Sequence, residues 1–295
     1  MTRVAAIDLG TNSTRLLVAD VENGHVGEVV RRSVITRLGE GVDARRRLLP
    51  TPIARTRNTL ADFRRELEGL GAERTLAVAT SAVRDAENGE AFLGEVEWSY
   101  GFKTQLLSGD QEAELTRRGV GALDEGTLLL DVGGGSTELS TPSFRVSLDV
   151  GSVRLTERFL RTDPPTTGEL DEAAATVRGL LPELEVTSAI GVAGTVGQLA
   201  ALAETDELTR AEVDRLTSEL AALPLAERER VPRLDPKRAP VIVAGGIVVR
   251  EVLARYGLER LHFSVRDILD GAALAAAELP AEGEGAAPPG AHTCC

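Results

Sequence analysis

Aromatic side chains are scarce in this chain, at 3% of its 295 residues, so Leu, Val and Ala must build most of any core. Cysteine is confined to the adjacent pair Cys294–Cys295. That pair cannot staple distant segments, and with His25, His262 and His292 scattered it offers no zinc-ligand spacing; a disulfide scaffold and a structural zinc are both disfavoured. Long apolar runs are missing too. None approaches the roughly 20 residues that span a bilayer, and Val4–Ile7 behind Arg3 is far shorter than a signal-peptide core. The expectation is a cytoplasmic protein with no membrane partner. Positive charge is in deficit, with 33 basic against 46 acidic residues and a net charge of −13. This argues against a nucleic-acid partner or a membrane-surface role. A polyanionic ligand would have to be held locally, by backbone N–H groups, a few arginines and a divalent cation. Nearly all the cations are arginine, the residue suited to bidentate phosphate contact.

What is present is enough for a full core, 42% hydrophobic and 27% charged, over a length that favours two domains. An internal repeat supports that division. Ile7-Asp8-Leu9-Gly10-Thr11-Asn12-Ser13-Thr14-Arg15-Leu16 aligns with Leu130-Asp131-Val132-Gly133-Gly134-Gly135-Ser136-Thr137-Glu138-Leu139. Each copy reads as strand, tight glycine turn, strand, with a polar tip. Strands and helices alternate after each copy, giving an α/β class. The periodicity predicts strands at Leu16–Asp20, Val26–Ile35, Leu76–Ala79, Gln105–Leu107, Phe144–Asp149, Ala189–Val192, Val241–Ala244 and Leu261–Val265. A turn is expected at Asn23-Gly24, an N-cap at Asn88, and capping boxes at Ser108, Thr166 and Thr209. The expected lobes are residues 1–122, carrying the first loop, and 123–279, carrying the second. The last helix is left free to pack on the first lobe. Residues 280–295 read as a disordered Gly/Pro/Ala/Glu-rich tail.

The glycine-rich loops carry the chemistry. Glycines bare backbone N–H groups and admit phosphate without Cβ interference. Gly133-Gly134-Gly135-Ser136-Thr137 suits that, and Gly10, Asn12 and Ser13 form the matching loop. Asp8 and Asp131 end their strands there, where a carboxylate would hold Mg²⁺ bridging phosphate oxygens. Two plain hairpin tips are the bland alternative, disfavoured by the duplication. Glu112, in the first turn of the helix after Ser108, reads on spacing alone as an acid complementing the helix dipole, with a general base as the sharper reading. Glu138 either holds metal-bound water or faces solvent. Gly194-Thr195 stands before a helix as a third phosphate or nucleoside contact. Gly245-Gly246 admits either a ligand or a neighbouring helix. Arg84 either clamps phosphate or pairs with Asp85. The histidines receive no role.

Taken in order, Ala6–Ser13, Arg37-Leu38-Gly39-Glu40-Gly41, Ala79–Asn88, Leu107–Ala113, Leu130–Leu139 and Gly191-Val192-Ala193-Gly194-Thr195 resemble the exopolyphosphatase / guanosine pentaphosphatase family, over residues 6 to about 270. That family belongs to the superfamily of acetate kinase, sugar kinases, heat-shock ATPases and actin. The resemblance implies two ribonuclease-H-like lobes with the active site in the cleft between them. It implies that Glu112 is the catalytic glutamate and Arg84 an active-site arginine. Asp131, Gly133, Gly134, Gly135, Ser136 and Glu138 would form the second phosphate and metal loop, and Asp8, Asn12, Ser13 and Arg15 would fall in the first. The expected cofactor is Mg²⁺, with Mn²⁺ as a substitute. The expected substrate is inorganic polyphosphate or guanosine pentaphosphate; a homodimer is left open. Pro240 departs from relatives, which often carry an acidic residue there. The extra helical domains of longer relatives are not expected. A kinase and a non-catalytic binder of guanosine tetra- or pentaphosphate are the competing classes.

Overall fold

A computed structural model describes residues 1–280, so the terminal cysteines, His292 and nearly all of the expected tail lie outside the described residues. The chain divides into two compact units, one of residues 1–108 with residues 268–280, the other of residues 109–267.

The first unit opens with β1 (Thr2–Leu9), β2 (Ser13–Glu22) and β3 (His25–Ile35). Asn23 and Gly24 both take positive φ, 51° and 77°, as a two-residue primed hairpin turn requires. Short α1 (Val42–Arg45) and long α2 (Pro50–Gly69) lead into β4 (Arg74–Ala79). Then come α3 (Ser81–Arg84), α4 (Gly89–Tyr100) and β5 (Lys103–Leu106), and the unit is completed by the distant α12 (Ile268–Glu278). The sheet order is β3-β2-β1-β4-β5. β1 runs antiparallel to β2 and parallel to β4. Val4, Ala5, Ala6, Ile7 and Leu9 are all fully buried, as a central strand covered on both faces must be. One face packs on Leu60, Phe63 and Leu67 of α2, each worth about 1.5–3 kcal/mol when fully buried. The small residues of α12, Gly271, Ala272, Ala273 and Ala276, are buried in this unit, and α12 lies against β1, β2 and β4. Arg31 pairs with Asp270 of this helix at 2.9 Å, and Arg74 reaches the Ala277 carbonyl. Asn88 stands at the α4 N-cap without capping it; its amide bonds Leu48 N and O instead.

The second unit begins earlier than expected from sequence, at α5 (Gly109–Val120) rather than at residue 123. It continues with β6 (Thr127–Val132), β7 (Thr137–Ser140), β8 (Arg145–Leu148), α6 (Ser152–Phe159), α7 (Thr167–Leu180), β9 (Ser188–Val192) and α8 (Ala193–Ala203). β10 (Glu207–Thr209), α9 (Arg210–Ala222), α10 (Leu225–Arg228), α11 (Ile242–Arg255) and β11 (Arg260–Phe263) complete it. α5 packs on β7 and β8, which is why it belongs here. The sheet order is β10-β11-β9-β6-β7-β8. With the added edge strand β10 set aside, this repeats the first sheet strand for strand, and both are ribonuclease-H-like. Thr166 and Thr209 form complete capping boxes with Glu169 and Glu212.

The expected strand Val241–Ala244 is the start of α11 instead. A short apolar run does not distinguish a strand from a buried helix, and this helix is buried from Ile242 through Val249 among α6, α7, α8 and α9. A Cβ on Gly245 would lie 2.5 Å from the Thr195 methyl, and one on Gly246 would lie 2.4 Å from the Thr217 hydroxyl. Those glycines admit neighbouring helices. Among the described residues no helix is long and apolar enough to cross a membrane.

Candidate active site

In the first unit, register places Asp8 opposite Arg15. Asp8, expected as a metal ligand, spends its Oδ2 on Arg15, accepting from Nε at 2.9 Å and from the second guanidinium nitrogen at 2.8 Å. Both side chains are largely buried, so the pair is only weakly screened. Between the strands, Gly10 N–H donates to the Ser13 carbonyl at 3.0 Å, and a Cβ at Gly10 would sit 2.9 Å from that oxygen. The outer carbonyls of this loop are taken by the segment after β3. Arg37 N–H donates to Asn12 O at 2.9 Å, and Gly39 N–H to Thr11 O at 2.8 Å. Gly39 has no room for a side chain, since a Cβ would meet the Thr11 methyl at 2.3 Å. Asn12 is buried and its Oδ1 has no hydrogen-bond partner among the described residues. Arg84 ends α3 and donates to the Leu107 carbonyl at 2.9 Å.

The second unit repeats the backbone with different side chains. Gly133 N–H donates to Ser136 O at 3.1 Å, and a Cβ at Gly133 would lie 3.0 Å from the same atom. Here the loop carbonyls are taken by the start of α6. Ser152 N–H bonds Gly133 O at 2.9 Å; Val153 and Arg154 N–H both bond Gly134 O, at 2.8 and 3.1 Å. Gly151 permits this, for a Cβ would fall 2.6 Å from the Gly134 carbonyl carbon. Asp131 faces Glu138 across the ladder, and both are buried. Ser147 on β8 donates to Glu138 Oε1 at 2.7 Å, and Thr116 on α5 donates to Asp131 Oδ2 at 3.3 Å. Glu112 is buried one helical turn before Thr116, on the same face of α5. This unit therefore collects Glu112, Asp131 and Glu138, whereas the sequence placed Glu112 with the first loop.

One expected phosphate contact is directed elsewhere. Thr137 is fully buried and donates to Val150 O at 2.6 Å; its counterpart Thr14 bonds the Thr36 hydroxyl at 2.8 Å. The repeated threonine knits each hairpin into its own unit. Thr195 packs its side chain against Gly245, and the Arg238 guanidinium lies close to the Gly194 Cα, 2.1 Å from where a Cβ would be. Ser147, Thr116 and Gly151 escaped the sequence reading, and Gly39 entered it only as part of a matching motif. Only Thr116, four residues after Glu112, carried a signal.

A model of the Ppx/GppA phosphatase family matches residues 17–274. The chain belongs to that family. Exopolyphosphatase 2 of Mycobacterium tuberculosis is 39% identical, over 94% of this chain and 99% of that protein. A solved exopolyphosphatase-like protein superposes with a TM-score of 0.85 at 31% identity, covering 93% of this chain and 97% of that one. The Ppx/GppA enzyme of Aquifex aeolicus gives a TM-score of 0.77 at 29% identity, covering 93% and 99%. As a Ppx/GppA phosphatase the chain is a phosphoanhydride hydrolase, and the family is one of divalent-metal-dependent hydrolases. The carboxylates fit that requirement. Asp131 and Glu138 stand opposite one another with Ser147 orienting one oxygen, and among the described residues no cluster of three ligands forms a closed cage. Mg²⁺ is ordinarily held in this way, by one or two carboxylates together with water and phosphate oxygens.

Proposed function

We propose that this protein is a cytoplasmic exopolyphosphatase that removes the terminal phosphate of short inorganic polyphosphates as orthophosphate, with Mg²⁺ as its metal. The observation that carries the reading is the buried pair Asp131–Glu138 beside a glycine loop whose carbonyls are turned away by α6, with Glu112 on the covering helix. Asp131 and Glu138 would hold the cation, which when bound neutralises charge on the phosphate oxygens. The N–H groups of Gly134, Gly135 and Ser136 cradle phosphate. Glu112 orients a water in line with the terminal phosphorus and takes its proton. Little covalent chemistry falls to the protein, because terminal phosphoryl transfer passes through a loose transition state in which positioning dominates.

In the first unit, Gly10, Asn12 and Ser13 form a second cradle, and the Asp8–Arg15 pair presents a fixed guanidinium; Arg84 adds a further cation. Short chains are favoured because the protein carries −13 and few cations adjoin the loops. Arg15 is already neutralised by Asp8. Guanosine pentaphosphate is the second substrate reading, and the buried carboxylates weigh against a non-catalytic binder.

The test is orthophosphate release from polyphosphates of defined length, run beside guanosine pentaphosphate, with Mg²⁺ and with excess chelator. Short polyphosphates should give the highest kcat/KM. Activity should vanish in chelator while circular dichroism is unchanged. Full activity without a divalent ion, or no release from any polyphosphate, would refute the proposal.

A further inference from the structure

A recess of about 160 Å³ opens between α5 and the β7–β8 turn of the second unit. Its walls carry Glu114 and Arg117 from the helix and Ser140, Thr141, Ser143 and Arg145 from the turn. Arg117 grips Glu114 bidentately, with Nε donating to Oε2 at 3.1 Å and a terminal nitrogen to Oε1 at 2.7 Å. Arg145, from the facing turn, donates to the same Oε2 at 2.6 Å. Glu114 thus fixes two guanidiniums from different elements. The Arg117 hydrogen bond holds its carboxyl below the usual range, so the arrangement persists across neutral pH. The remaining guanidinium N–H groups make no other hydrogen bond among the described residues.

Between them lies Ser140. As a residue it is only 2% exposed, yet it lines the recess, and its hydroxyl makes no hydrogen bond among the described residues. Thr141 accepts from Phe144 N–H at 3.1 Å and keeps its own proton to donate. One carboxylate against two guanidiniums leaves a local charge of +1, in a protein of net charge −13. Spare N–H donors, two or three hydroxyl donors and net positive charge match a small tetrahedral oxyanion, which offers acceptors in every direction.

We propose that this recess is a second, non-catalytic orthophosphate site. A bound phosphate would tie α5 to the β7–β8 turn. Glu112 lies two residues before Glu114 on α5, and Glu138 two residues before Ser140 on β7, so occupancy holds the two elements that carry these carboxylates in register. That orthophosphate is also the enzyme's product rests on the function proposed above; the binding itself does not.

Isothermal titration of the full chain with sodium orthophosphate in Mg²⁺ tests the site. The wild type should take up two equivalents. Arg145→Ala should take up one, with an unchanged melting curve and unchanged turnover at low phosphate. Ser140→Ala, which removes only the hydroxyl, should weaken the second equivalent by about tenfold, the worth of a hydrogen bond to a charged partner. Uptake that Arg145→Ala leaves undiminished, whether one equivalent or two, would overturn the proposal. A chain that releases no phosphate from polyphosphate yet shows the Arg145-dependent equivalent would refute the proposed function and leave this site standing.

Discussion

The hairpins β1–β2 and β6–β7 share a backbone and differ in charge. Both close with the same glycine-to-serine hydrogen bond, at 3.0 and 3.1 Å. Both bury the following threonine, and both have their loop carbonyls occupied by amides from the segment that follows the third strand. Opposite the strand-ending aspartate, however, stands Arg15 in one and Glu138 in the other. The first hairpin sets an acid against a base, and the second sets two buried acidic residues opposite one another. The two copies share what shapes the loop and differ in the side chain across the ladder. In the function proposed above, the first loop offers a guanidinium beside its glycine turn and the second offers carboxylates to a metal ion.

The strongest way to sharpen this contrast is Glu112→Gln, on the helix that covers the second hairpin. Turnover should fall by about two to four orders of magnitude, the usual worth of a general base, with KM and the melting temperature kept. Single-turnover phosphate release measures it, and near-native turnover would remove Glu112 from the mechanism. Next comes a pair of changes at matched positions. Arg15→Met leaves Asp8 buried without its guanidinium and should cost about 3 kcal/mol in urea unfolding. Glu138→Gln keeps the shape and the acceptor for Ser147 and should shift stability by less than about 1 kcal/mol while abolishing metal-dependent activity. Equal stability losses at the two positions would break the comparison. The smallest effect concerns acid. Glu169 is held down to about 2, first by the Thr162 hydroxyl and then by the Thr166 N–H. A depressed carboxyl stabilises above its usual 4.5, and that stability is lost as pH falls toward 2. Such capping boxes begin α7 and α9 of the second unit, whereas α2 and α4 of the first have no side-chain cap. Glu169→Gln should therefore flatten the pH dependence of unfolding between 4.5 and 2. An unchanged slope would mean that the box contributes nothing.

Much of this was legible in the residues. The repeat from Asp8 to Arg15 and from Asp131 to Glu138 located both hairpins, because a glycine turn between apolar strands has few alternatives. Thr166 and Thr209 located two helix starts to the residue. The failures have a common physical source, which is that tertiary packing decided them. Val241–Ala244 is apolar enough for a strand and became helix because four helices enclose it. Thr137 looked like a phosphate contact, but its direction depends on Val150, thirteen residues away. Glu112 was assigned to the wrong unit because α5 packs on strands that follow it in the chain. The roles of Asp131 and Glu138 could be read from sequence only as far as residue type. Their opposition across a ladder, and Ser147 behind them, required coordinates.

The placement of α12 also bears on how the chain is made. The first unit is interrupted: its sheet is translated at the start, but the helix lying against β1, β2 and β4 is translated some 160 residues later, after the whole uninterrupted second unit, residues 109–267. A ribosome therefore releases a complete second unit before the first can close. Until then one apolar face of the N-terminal sheet is left without its cover, a surface of the kind chaperones hold. The usual order, in which the N-terminal part folds first, is inverted here, and truncation anywhere before Ile268 would strand the earlier-made half.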